Sequence, residues 1–207
     1  MTNTLVSNWK NILASKFTIG LLYPAVLGGI IYAALPPLFD SIFSGWWPSL
    51  KSLTLLAIVF LYSSDYTYTV FYTTKEPSKY TPIVTLGDIG IVLTLFVAAA
   101  TLFETPVVPY CALFYALAAS KFFTLIWDKI FHGAPQRGGI DFTFLGIYLL
   151  LAILLSFGVI VEELPNKDLS DLKIRYLPLP FLWIPLGVVT IDTVSYIRFL
   201  LKKAKGL

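Results

Sequence analysis

The sequence predicts an all-α integral membrane protein with about six transmembrane helices and both termini in the cytoplasm. Three observations carry that reading: charge is scarce, apolar stretches recur at spanning length, and lysine and arginine alternate between the connecting segments.

Only 13% of the 207 residues are charged, while 57% are hydrophobic. A water-soluble domain carries about a quarter charged residues. This chain therefore lacks the polar surface to cover a globule, and lipid must be its solvent. No stretch outside the apolar runs reaches the ~50 residues that an independent domain needs, so residues 1–207 read as one transmembrane domain. The net charge of +3 comes from residues scattered over loops and ends, which offers nucleic acid no patch. Cys111 is the one cysteine and sits in an apolar run, so no intrachain disulfide can form. The sole histidine, His132, argues against a histidine-rich metal site. The first apolar run is too long for the core of a cleavable signal and lacks a convincing cleavage site. No cofactor is readable.

A spanning helix needs about 20 mainly apolar residues, and the qualifying stretches are 17–35, 53–72, 82–103, 107–127, 140–161 and 179–197. Before the first, Leu5, Trp9, Ile12, Leu13 and Phe17 fall on one helical face, the pattern of an interfacial helix over residues 1–16. Within it, Gly20, Pro24, Gly28 and Gly29 predict bending. The loop that follows carries Phe39, Ile42, Phe43, Trp46 and Trp47, rings suited to the headgroup level. The second stretch is the weakest, because residues 63–69 are all polar or tyrosine. Glu104, Thr105 and Pro106 read as a tight turn between the third and fourth. In the fourth, Ala112, Ala116 and Ser120 make a small-residue stripe that admits a neighbouring helix closely. The fifth is unambiguous, and Pro185 and Gly187 predict a bend in the sixth. Four or five spans with interfacial helices are the alternative count.

Four ionisable side chains fall inside these spans: Asp65, Asp88, Lys121 and Asp192. Each costs about 2.5–3.5 kcal/mol on insertion scales if it faces lipid. Counted from the helix ends, all lie about 8–11 Å inside the same boundary, so they can meet in one polar layer. Lys121 could then neutralise one aspartate, leaving the others protonated or open to water. Hydroxyls share their faces: Tyr62, Tyr66 and Thr69 with Asp65, Thr85 with Asp88, and Ser195 and Tyr196 with Asp192. Such groups suit a cation, water or a polar headgroup. A structural ion pair is the plainer alternative. Asp128 with Lys129, and Glu162 with Glu163, read as solvated boundary charges.

Catalysis finds little support. An intramembrane aspartyl protease would set one aspartate in a Gly-x-Gly-Asp motif, whereas Asp88 follows Gly87 with Thr85 two residues before it. The expected function is therefore to move or gate a small polar solute or ion. A non-enzymatic subunit that anchors a larger membrane complex is the alternative. Besides the bilayer, the expected partner is a second copy or another membrane subunit.

With the N-terminus inside, ten lysines and arginines fall on inner segments and four on outer ones, Lys51, Lys167, Lys173 and Arg175. Reporter fusions after Lys75, after Gln136 and at the C-terminus should therefore report cytoplasm, and fusions near Trp47 and Asn166 the far side. A cytoplasmic signal from Asn166 would break the six-span layout.

Overall fold

A lipid-embedded backbone must satisfy its amides internally, which leaves helices as the economical answer for apolar runs of this length. The computed structural model describes residues 16–44, 46–102, 110–157 and 183–205, together with Leu13 and the pairs 162–163 and 175–176. Six α-helices result: α1 (Tyr23–Ser44), α2 (Trp46–Lys75), α3 (Pro82–Ala100), α4 (Tyr110–His132), α5 (Gly138–Ser156) and α6 (Trp183–Lys205). Between α5 and α6, β1 (Glu162–Glu163) pairs antiparallel with β2 (Arg175–Tyr176), with Glu162 opposite Tyr176.

Five stretches are long and apolar enough to cross a membrane: Leu50–Lys75, Pro82–Ala100, Tyr110–His132, Gly138–Ser156 and Trp183–Lys205. A further apolar stretch, Thr18–Tyr32, is shorter. The chain is thus compatible with a multi-pass membrane protein. The segment expected to loop between the first two spans is instead helical, with α1 continuing to Ser44 and α2 starting at Trp46. Most of the expected interfacial helix at 1–16, and the expected turn at residues 104–106, lie outside the described residues.

Local chemistry explains the ends. Thr81 caps α3, its hydroxyl accepting from the Val84 amide at 3.5 Å, and Pro82 follows at the first helical position. The predicted bend before α1 takes the form of a π-helical turn, Thr18–Leu22, in which the Tyr23 amide donates to the Thr18 carbonyl. Pro24 has no amide to offer the Gly20 carbonyl, so the ordinary ladder is already broken there. Between α4 and α5 the chain reverses at Gly133, whose φ of 80° is open to glycine. The polar C-terminal half of α2 satisfies itself: Ser63, Ser64, Thr67 and Thr73 each donate to the carbonyl four residues back, at 2.6–2.8 Å. That is why seven polar or tyrosine residues in a row remain helical.

Packing joins the helices in two groups. α4 lies against α3 and α5, and α2 lies against α1 and α6, with lesser contacts of α3 to α2 and α1. Glycines permit the closest approach. A Cβ on Gly90 would stand 2.8 Å from the Phe123 ring, and one on Gly87 would stand 3.3 Å from Trp127. Trp127 in turn stacks on Phe131 at 4.6 Å. In the small-residue stripe of α4, Ala116 and Ser120 are buried and Ala112 is partly so.

Gly90→Ala and Ala116→Leu should each lower thermal stability by about 1–3 kcal/mol through overpacking. Gly146→Ala, on an open face of α5, should not. Thermal unfolding in detergent checks this, and an unshifted Gly90→Ala transition would mean that the α3–α4 contact is loose.

Candidate functional site

Two buried polar clusters lie side by side among the tyrosines of the core. The first is built on α4, α5 and α6. Lys121 Nζ sits 2.8 Å from the Asp192 carboxylate and 3.4 Å from Asp141 Oδ1. The Arg137 guanidinium lies 3.4 Å from Asp141 and 3.5 Å from Asp192, and it donates to Ser195 at 3.3 Å. Tyr148 donates to Asp192 at 2.9 Å. Lys121, Arg137, Asp141 and Asp192 are each at most 5% exposed. Two cations face two anions, so the charges balance in number, although Arg137 Nε and Nη1 and Asp141 Oδ2 find no hydrogen-bond partner among the described residues.

The second cluster has no such balance. Asp65 of α2 and Asp88 of α3 are 3% and 0% exposed. The Tyr23 hydroxyl, from α1, lies 2.8 Å from Asp65 Oδ2 and 3.4 Å from Asp88 Oδ1. Tyr196 of α6 donates to Asp65 Oδ1 at 3.1 Å. Tyr80 donates to Asp88 Oδ2, and Thr69 reaches Asp88 Oδ1 at 3.4 Å. Burial pushes the Tyr80 phenol above its ordinary pKa, so it stays a donor. Nearby, the buried Trp127 indole N–H has no hydrogen-bond partner. Among the described residues no lysine or arginine comes within ion-pair distance of either carboxylate.

Tyr196 links the two clusters. Its hydroxyl serves Asp65 while its ring lies 4.3 Å from the Arg137 guanidinium and 5.5 Å from Lys121.

The four charges divide into two neighbouring groups. Lys121 and Asp192 pair with each other, and Asp65 and Asp88 stand together apart from them. Of the supporting hydroxyls, Thr69, Ser195 and Tyr196 reach a charged partner. Tyr62 donates to the Tyr23 carbonyl at 3.1 Å, Tyr66 packs on the Tyr23 ring, and Thr85 donates to the Thr81 carbonyl. Asp128 is not a solvated boundary charge: it is 2% exposed, accepting from Tyr68 at 2.7 Å and from the Gln136 amide at 2.8 Å. His132 ends α4 and packs on Tyr72. Sequence reasoning missed Arg137 and Asp141, although their i, i+4 spacing at the start of the fifth span was a usable signal. It also missed Tyr23, Tyr68, Tyr80 and Tyr148, which nothing in the sequence sets apart from the other tyrosines.

Fold and clusters together define the class: a helical multi-pass membrane protein with ionisable groups buried among its helices. Comparison with protein-family models, curated proteins and solved structures finds no match to this chain.

Removing one member of a buried ion pair costs about 3–5 kcal/mol, whereas removing both is often nearly neutral. Lys121→Met should thus destabilise the protein, and adding Asp192→Asn should restore it, leaving Arg137 with Asp141. Adding Asp65→Asn instead should not rescue. Equal thermal transitions for the wild type and all three variants would mean that the cluster contributes nothing to stability.

Proposed function

We propose that this protein moves or gates a small cation across the bilayer, with the Asp65–Asp88 pair as its loading site. One observation carries the reading: two carboxylates are buried together with hydroxyl partners and, among the described residues, no cation in ion-pair contact. Uncompensated charge of that kind is costly in a bilayer and marks ion pathways. The neighbouring four-charge cluster sharpens the contrast, because there the same fold supplies full neutralisation.

The pair is also placed to respond to motion. Two of its ligating hydroxyls, Tyr23 and Tyr196, come from α1 and α6, outside the α2–α3 pair that carries the carboxylates. A shift of either helix changes how well the charges are solvated. A π-helical turn directly precedes Tyr23, and such turns recur at functional sites. In this reading Thr18–Ser44 makes a sixth crossing, with both termini cytoplasmic, as the lysine and arginine distribution favours.

Peptide hydrolysis by the two aspartates fits poorly. That chemistry holds a water between the carboxyl groups, and here the Tyr23 hydroxyl occupies the bridging place. The anchoring-subunit alternative draws support from the charge-balanced Lys121–Asp192 cluster, which ties α4, α5 and α6 without leaving a free charge.

Purified protein in liposomes should carry a cation flux that Asp65→Asn and Asp88→Asn each abolish, while Lys121→Met/Asp192→Asn retains it. Wild-type flux in both single variants would remove the pair from the pathway. A folded wild-type protein that carries no tested cation would turn the assignment to the anchoring subunit.

A further inference from the structure

We infer that the cation held by the Asp65–Asp88 pair is a proton, lodged on Asp88 and relayed to Asp65 through the Tyr23 hydroxyl; the relay rests on the transport reading, the lodged proton does not. The hydrogen-bond inventory distinguishes a proton from a metal ion. All four carboxylate oxygens already face hydroxyl groups: Tyr196 and Tyr23 at Asp65, and Tyr80, Thr69 and Tyr23 at Asp88. A proton fits this arrangement as it stands, whereas a metal ion needs several oxygen lone pairs turned toward it. Among the described residues no three acidic, histidine or cysteine side chains gather to replace them.

The proton count at Tyr23 then locates the charge. A phenol has one hydrogen to donate. At 2.8 Å from Asp65 Oδ2 and 3.4 Å from Asp88 Oδ1, Tyr23 spends it on Asp65. The contact to Asp88 is attractive only if hydrogen comes from the other side, with a protonated Asp88 donating to the phenol oxygen. Otherwise an oxygen lone pair would face a buried carboxylate.

The surroundings assign the charge the same way. Asp65 lies toward the cationic cluster, since its donor Tyr196 carries Arg137 and Lys121 over its ring. The other charges facing the pair are Asp141, Asp192 and Asp128; the first two balance Lys121 and Arg137, and Asp128 is bonded to Tyr68. The charged member of the pair is therefore Asp65, and the neutral one Asp88.

The relay step balances within these three residues. The Asp88 O–H bond breaks as its proton forms a bond to Tyr23 Oη. The original Tyr23 O–H bond breaks as that proton joins Asp65 Oδ2. Tyr23 is regenerated, and one charge has moved between two helices.

Infrared spectroscopy of the protein in lipid at neutral pH provides the test. The wild type should show the carbonyl stretch of a protonated carboxylic acid, absent from Asp88→Asn, displaced in Asp88→Glu and retained in Asp65→Asn. No acid band in the wild type, or a band indifferent to every Asp88 change, would overturn the lodged proton. In liposomes, Tyr23→Phe should keep the acid band yet slow proton flux by about a hundredfold. Flux should be unchanged when sodium and potassium are replaced by an impermeant organic cation. Unimpaired flux in Tyr23→Phe would overturn the relay. An acid band without wild-type flux would retire the relay and the transport reading together, leaving the proton on Asp88 standing.

Discussion

Inside an apolar bilayer, a polar group has only the rest of its own chain to replace water. The interior of this protein follows from that constraint. Serine and threonine hydroxyls on α2, α3, α4 and α6 fold back onto their own helices. Charged groups cannot be satisfied so locally, because a carboxylate wants more donors than one turn can offer. They recruit partners from other helices, and in doing so they set which helices must meet. α4 and α6 have few close backbone approaches, yet Lys121 and Asp192 bind them. Tyr68 and Asp128 do the same for α2 and α4.

Tyrosine is the recurring instrument, for a reason of shape. Its phenol carries a hydrogen-bond donor at the end of a long, rigid, apolar arm. Tyr23, Tyr68, Tyr80, Tyr148 and Tyr196 are all buried, so the rings fill the core while the hydroxyls solvate its charges. A lysine or arginine would bring charge of its own to the Asp65–Asp88 pair and close it, as happens a few ångströms away. A pair solvated only by neutral hydroxyls keeps its affinity for an incoming positive charge. Neutral solvation and full neutralisation thus coexist within one small bundle, and the difference lies in which donors were placed where.

Much of the architecture was legible in the sequence because apolar length is additive along the chain. Five of the six expected spans correspond to long apolar helices, with ends shifted by up to eight residues. The charges at 65, 88, 121 and 192 were legible for the same reason, each being an exception within a long apolar run. Their partition was not. Depth along a helix can be counted, but the direction in which a face points depends on neighbours that the chain supplies tens of residues away. Arg137 and Asp141 escaped because boundary residues normally reach water. Asp128 escaped for the same reason, although the Gly133 turn brings the Gln136 amide back over it. Hydropathy also read the polar half of α2 as a weakness, since it cannot register hydroxyls that bond to their own helix.

The π-helical turn at Thr18–Leu22 has a consequence for how this chain tolerates length changes. In an α-helix, residues five apart point about 140° away from each other. Here Thr18 and Tyr23 are both fully buried, because the widened turn fits one extra residue into the circuit. Deleting one residue between them would restore the ordinary spacing of four and leave both on the same face, with everything beyond Tyr23 undisturbed. The same deletion between Tyr62 and Asp65 would swing one part of α2 about 100° against the other. Tyr23 would then face an empty wall. The widened turn is thus a slack link, the place where this protein can change its length and keep its register.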